Sequence, residues 1–135
     1  MAETRTHLYY LVKEAFRTTR PQLAMAMMAR LVDSPELKLT RDELAEATAG
    51  MFNSVNHHAT NVGRTAKELE REGLVKVRFV RPDGSFAPNP SAGVKANYYV
   101  TRKAVDQLWP SHALQKEFNI DEILAANGIE EAIDG

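Results

Sequence analysis

The chain has no cysteine. That excludes a disulfide framework, a thiolate zinc site and a cysteine nucleophile. No apolar run approaches the roughly 18 residues of a membrane span. The opening residues, MAETRTHLYYLVKEAF, break their apolar pattern with charges, unlike the core of a secretory signal. A cytoplasmic protein with no membrane contact is therefore expected. The motifs of catalysis are missing too. There is no Gly-rich phosphate loop, no GxSxG, no HExxH and no spaced carboxylate pair in an evident cleft, so neither an enzyme nor a cofactor is expected. Internal repeats and low-complexity tracts are likewise lacking.

What is present is enough for one domain with a substantial core: 135 residues, 44% hydrophobic and 26% charged. The formal net charge of −1 hides an asymmetry. From Ala104 onward there are seven acids and one base, whereas residues 1–103 carry 16 bases and 11 acids. The body is basic and the tail acidic. Contact with phosphates is governed by local potential rather than by the chain total.

Helical spacing of Leu8, Leu11, Val12 and Ala15, with Phe16 beside them, predicts a first helix over residues 6–18. Arg20-Pro21 breaks it, because the residue before proline avoids helical angles. A second helix is expected over residues 21–32, with proline in its first turn. Its stripe of Leu23, Met27 and Leu31, widened by Ala24 and Met28, marks a helix buried on more than one side, the methionines filling core. Asp33-Ser34-Pro35-Glu36 is a turn, and residues 37–39 alternate as a short strand would. Thr40 followed by Glu43 fits a capping box, with Leu39 and Leu44 placed as a hydrophobic staple, so a helix begins at Arg41 and ends near Gly50.

Asn53 or Ser54 then caps the next helix. Val55, Ala59, Val62, Ala66 and Leu69 give it a narrow buried stripe. Gly73 fits a left-handed C′ position, with Leu74 folding back on Leu69. Residues 75–80 alternate as a half-buried strand. Pro82-Asp83-Gly84 signals a turn, and residues 87–93 read as a loop. Ala96, Tyr98 and Val100 alternate with Lys95, Asn97 and Tyr99 in a return strand. Thr101 caps a helix that runs to about Trp109, and a last short helix falls around residues 120–126.

Two helices joined by a turn and followed by a hairpin are the parts of a winged helix-turn-helix. The second helix must be apolar on the side that anchors it and polar on the side that enters a major groove. Asn56, His57, Thr60, Asn61 and Arg64 lie away from the apolar stripe. Asn pairs bidentately with adenine and Arg with guanine. Ser54 and the free N–H groups at the helix start suit a phosphate, and Thr65 and Lys67 lie where DNA-backbone contacts are expected. Arg78, Arg81 and Lys95 supply the hairpin with bases for phosphates or the minor groove. Residues 53–81 hold six bases and three acids.

The run LVDSPELKLTRDELAEATAGMFNSVNHHATNVGRTAKELEREGLVKVRFVRPDGS, with YYVTRKAVDQL beyond it, resembles the DNA-binding half of MarR-type winged-helix regulators. More broadly it resembles the winged-helix superfamily, which also includes small phage and plasmid regulators and replication initiators. Its most specific piece is the helix ending LEREGLVKV, a charged wing, and a returning YYVT that leads into a helix. The resemblance covers residues 21–108. It implies a homodimer on double-stranded DNA, a recognition helix at 54–72 and a wing at 81–95. The wing segment PDGSFAPNPSAG is longer and richer in proline than the family's.

The fold class expected is thus mainly α with a small antiparallel hairpin: a winged helix-turn-helix with extra terminal helices. It would occupy residues 1–109, with its core at 21–108, and be followed by an acidic tail at 110–135. The tail would pack across a partner or repel DNA. Leu8, Leu11, Val12, Phe16 and Trp109 are the expected dimer surface. The function expected is transcriptional regulation, most simply repression. A replication or maintenance initiator and a protein-binding adaptor are the alternatives. His57-His58 suggests a metal site, but adjacent helical residues point about 100° apart and chelate one ion poorly, so none is expected. Nothing in the sequence specifies an effector pocket.

Overall fold

The computed structural model describes residues 20–50, 57–108 and 119–128. Within them the chain is α+β, with five helices and one four-stranded antiparallel sheet. In chain order the elements are α1 (Pro21–Asp33), β1 (Lys38–Thr40), α2 (Arg41–Ala49), α3 (His58–Arg71), β2 (Val75–Val80), β3 (Phe86–Ala87), β4 (Lys95–Val100), α4 (Arg102–Leu108) and α5 (Ile120–Asn127). None of the described helices is long and apolar enough to cross a membrane. The expected helix over residues 6–18 and the expected dimer residues Leu8, Leu11, Val12, Phe16 and Trp109 lie outside the described residues.

α1 is the centre of the core. Met27, Met28, Leu31 and Val32 are fully buried, the two methionines filling the interior as their spacing predicts. α2 begins as its sequence dictates. The Thr40 hydroxyl accepts from Glu43 N (3.0 Å) and the Glu43 carboxylate accepts from Thr40 N (2.9 Å), closing the capping box. Leu39 packs against the core that Leu44 enters.

The sheet is larger than the expected hairpin. Its order is β1-β4-β2-β3, so β1 joins one edge and a two-residue strand within the expected wing joins the other. Pairing Val77 with Tyr98 and Phe79 with Ala96 puts Val75, Val77, Phe79, Ala96, Tyr98 and Val100 on one face. That face meets the helices, and Tyr98 and Val100 are buried there. Lys38, Lys76, Arg78, Lys95, Asn97 and Tyr99 fall on the other face, because strand side chains alternate. The free edge of β1 is blunted. Val100 N donates to Leu37 O, so the backbone groups of Lys38 and Thr40 point outward. Ser34 Oγ donates to Lys38 O, and the capping glutamate holds Thr40 N. Little remains for another strand to pair with.

α5 falls within the stretch expected as an acidic tail. Its Ile120 and Leu124 are fully buried in the same core as α1 and α3. Asn127 Nδ2 donates to Glu36 O at 3.0 Å.

At Gly63, in the middle of α3, an added Cβ would lie 4.0 Å from both Arg41 Cδ and the Tyr98 hydroxyl, an ordinary contact distance. Glycine inside a helix loses more backbone freedom on folding than alanine. Gly63→Ala is therefore expected to stabilise the protein by about 0.5–1 kcal/mol. A urea titration checks this: the midpoint should rise with the slope unchanged.

Candidate functional site

α3 carries most of the expected contact residues, and its two sides differ sharply. His58, Val62, Thr65, Ala66 and Leu69 are buried. His57, Ala59, Thr60, Arg64, Lys67 and Arg71 are exposed, while Asn61 is half-buried. Ser54 and Asn56 lie outside the described residues. The helix also starts later than expected. His57 sits at its N-cap with φ −116° and ψ 11°, and no side chain caps that end.

Two expectations on this helix are corrected. Thr65 is not a surface contact; it is fully buried, and its hydroxyl has no hydrogen-bond partner among the described residues. Ala59 is not in the buried stripe; His58 is. Val62, Ala66 and Leu69 are buried as expected, and the stripe is widened by His58 and Thr65. Those two are the unexpected members, because histidine and threonine read as outward-facing residues. His58 is accommodated by a buried partner. Thr48 Oγ1 donates its one proton to Leu44 O (2.9 Å), so at 2.7 Å from His58 Nε2 it accepts from that nitrogen. This bond ties the start of α3 to the end of α2. The neighbouring histidines thus diverge, one to solvent and one into the protein.

The exposed residues His57, Thr60, Arg64, Lys67 and Arg71 step by three and four, which places them on one ridge of the helix. One acid borders that ridge: Glu68, half-buried, lies four residues after Arg64 and three before Arg71. Glu70 is turned away, its carboxylate accepting from Val77 N at 3.0 Å at the start of β2. At the helix end Lys103 Nζ donates to Glu72 O at 2.7 Å.

The hairpin bases are arranged differently from the expectation. Arg78 donates to Gly128 O (3.0 Å), and its guanidinium lies 4.6 Å from the centre of the Phe86 ring. Arg81 Nη1 donates to Phe86 O (2.7 Å) and to Ser85 Oγ (3.3 Å). Both arginines therefore build the hairpin as well as charging it. Lys95 is exposed on β4. Asp83, in the turn, accepts from the Ser85 hydroxyl and N–H, which holds its carboxyl below the usual range. Sequence reasoning passed over Phe86, the one exposed large hydrophobic among the described residues. Its isolation in a Pro- and Gly-rich stretch was the available signal.

Two hollows flank β1. One, of about 360 Å³, is lined by residues including Glu36, Lys38, Glu43 and Asn97; the other, of about 80 Å³, lies between the start of α2 and Lys95. Neither converges polar groups on a point where a reacting atom would sit.

No family model, no curated protein and no solved structure matches the chain. The functional reading therefore rests on the placement of these side chains.

Burying a hydroxyl without a partner costs about 1–3 kcal/mol. Thr65→Val keeps the shape and removes the hydroxyl. It is expected to raise stability by about 1 kcal/mol in chemical denaturation. A fall in stability would mean that the hydroxyl is hydrogen-bonded after all.

Proposed function

We propose that this protein is a sequence-specific double-stranded DNA-binding transcriptional regulator with a winged helix-turn-helix fold, acting most simply as a repressor. The element order helix, strand, helix, helix, strand, strand, strand fits that arrangement. The observation that carries the reading is the exposed ridge His57, Thr60, Arg64, Lys67 and Arg71, with three bases to the one bordering acid Glu68, on a helix anchored along its opposite side. A major groove admits one helix and offers base edges to arginine and threonine, with phosphates on either wall for lysine. In this reading Arg64 and Asn61 face the bases, and Lys67 and Arg71 face the backbone. The strand residues add to the favourable potential, since β1 to β4 contain no acid at all. A homodimer on two half-sites about one helical turn apart completes the proposal.

Selection of bound duplexes from a random library at roughly physiological salt tests it. A short enriched motif is expected. Arg64→Ala should lose about 1–3 kcal/mol on that motif and relax one base position. Lys95→Ala should weaken all duplexes alike and flatten the salt slope by about one. A folded protein that enriches no motif would refute the reading. Retention of one host protein after nuclease treatment would then favour an adaptor.

A further inference from the structure

Phe86 is half-exposed at the free end of the sheet, and the structure invests in keeping it there. Its backbone pairs with Val80 across the short β2–β3 ladder. Arg81 holds its carbonyl, while the Arg78 guanidinium backs one face of its ring. The turn beneath is closed by Arg81 N to Ser85 O (2.8 Å), by Gly84 N to Arg81 O (2.8 Å), and by Asp83 binding Ser85. The ring is therefore fixed in place before any partner arrives, and little side-chain freedom remains to be lost on binding.

Its surroundings are cationic. Val80 pairs with Phe86 on one side and Lys95 on the other, so Lys95, Val80 and Phe86 form a row on the face opposite the core. Arg78 lies on that same face and Arg81 at the row's end. The nearby acid, Asp83, is held by Ser85. A rigid apolar ring bordered by cations is complementary to a flat apolar edge bordered by anions. A base step between two phosphodiesters has that pattern.

We propose that Phe86 is an apolar wedge that presses on a base step in the minor groove of duplex DNA and partly unstacks it, with Lys95 and the adjacent arginines on the flanking phosphates. The proposal rests on the DNA-binding reading above and deepens it. Sequence preference at the wedged position comes from deformability rather than from hydrogen bonds. Flexible pyrimidine–purine steps are preferred because they unstack at least cost.

The test uses the duplex recovered by selection, with 2-aminopurine placed in turn at each position under the hairpin. The wild-type protein should raise the fluorescence at one step. Phe86→Ala should abolish that rise and weaken binding by roughly ten- to hundredfold, the range seen when a base-stacking aromatic is removed. Phe86→Leu, still apolar, should keep part of both. Circular dichroism of the free variants confirms that the fold is retained at this exposed position. If Phe86→Ala binds the selected duplex as tightly as the wild type, with its fluorescence unchanged, the wedge is refuted and the DNA-binding reading stands. If no duplex is bound by the wild type, both fail together. Binding to anionic lipid vesicles that requires Phe86, with DNA affinity unchanged by Phe86→Ala, would also overturn the wedge and assign the ring to a membrane surface.

Discussion

The last carbonyls of α3 have no intrahelical partners, and the way they are satisfied directs the rest of the chain. Gly73 adopts φ +80°, a left-handed angle that favours glycine. A Cβ there would also come within 3.1 Å of Lys103 Cδ. With Gly73 in place, Gly73 N reaches Glu70 O and Leu74 N reaches Leu69 O, both at 2.9 Å, closing a Schellman turn. The chain reverses, and Leu69 and Leu74 are buried together. The Thr101 hydroxyl donates to Gly73 O, and Thr101 N reaches Leu74 O, so the end of the sheet is fastened to the same turn. One glycine thus sets the angle between the helix and the whole hairpin.

That angle fixes the relation between the two exposed features, the ridge on α3 and the ring on β3, which lie on opposite sides of the turn. In the proposed reading a duplex contacts both, and the contacts across the junction hold them in register. Glu70 bonds to β2, His58 bonds to Thr48, and the Val62–Ala66–Leu69 side packs into a core shared with β4 and α5. Packing dominates here. Exposed ion pairs such as Lys38–Glu36 contribute little.

Local signals were legible in the sequence. The capping box at Thr40, the Schellman turn at Gly73, the alternation of Val75–Val80 and the helix cap at Thr101 each depend on residues within five positions of one another. The structure has them where the sequence puts them. Non-local relations were not legible. Arg81 reads as free charge until the carbonyl of Phe86 is seen beside it. β3 has only two residues and sits in a stretch with loop composition, so its pairing with β2 sets it rather than propensity. On α3 the burial of Val62, Ala66 and Leu69 is legible, whereas that of His58 in place of Ala59 is not, for a related reason. A buried histidine is tolerated because Thr48, ten residues earlier, hydrogen-bonds its ring, and that partnership leaves no periodic trace.

The acidic end of the chain gains a different meaning from the same contacts. α5 carries Asp121 and Glu122 in its first turn, and Asp121 meets Arg102 at 2.6 Å. Arg78 reaches the carbonyl of Gly128 at its other end. Between those ends Ile120 and Leu124 enter the core. Burial of such side chains is worth about 1.5–3 kcal/mol each, whereas an exposed ion pair gives under about 1 kcal/mol. The helix is therefore held mainly by its apolar side, and its charges act chiefly through electrostatics. They lower the net charge of the molecule from an element other than α3, whose exposed ridge keeps more bases than acids. A chain with a net charge of −1 can in this way keep a locally basic surface, with less non-specific attraction to nucleic acid than a uniformly basic protein would have.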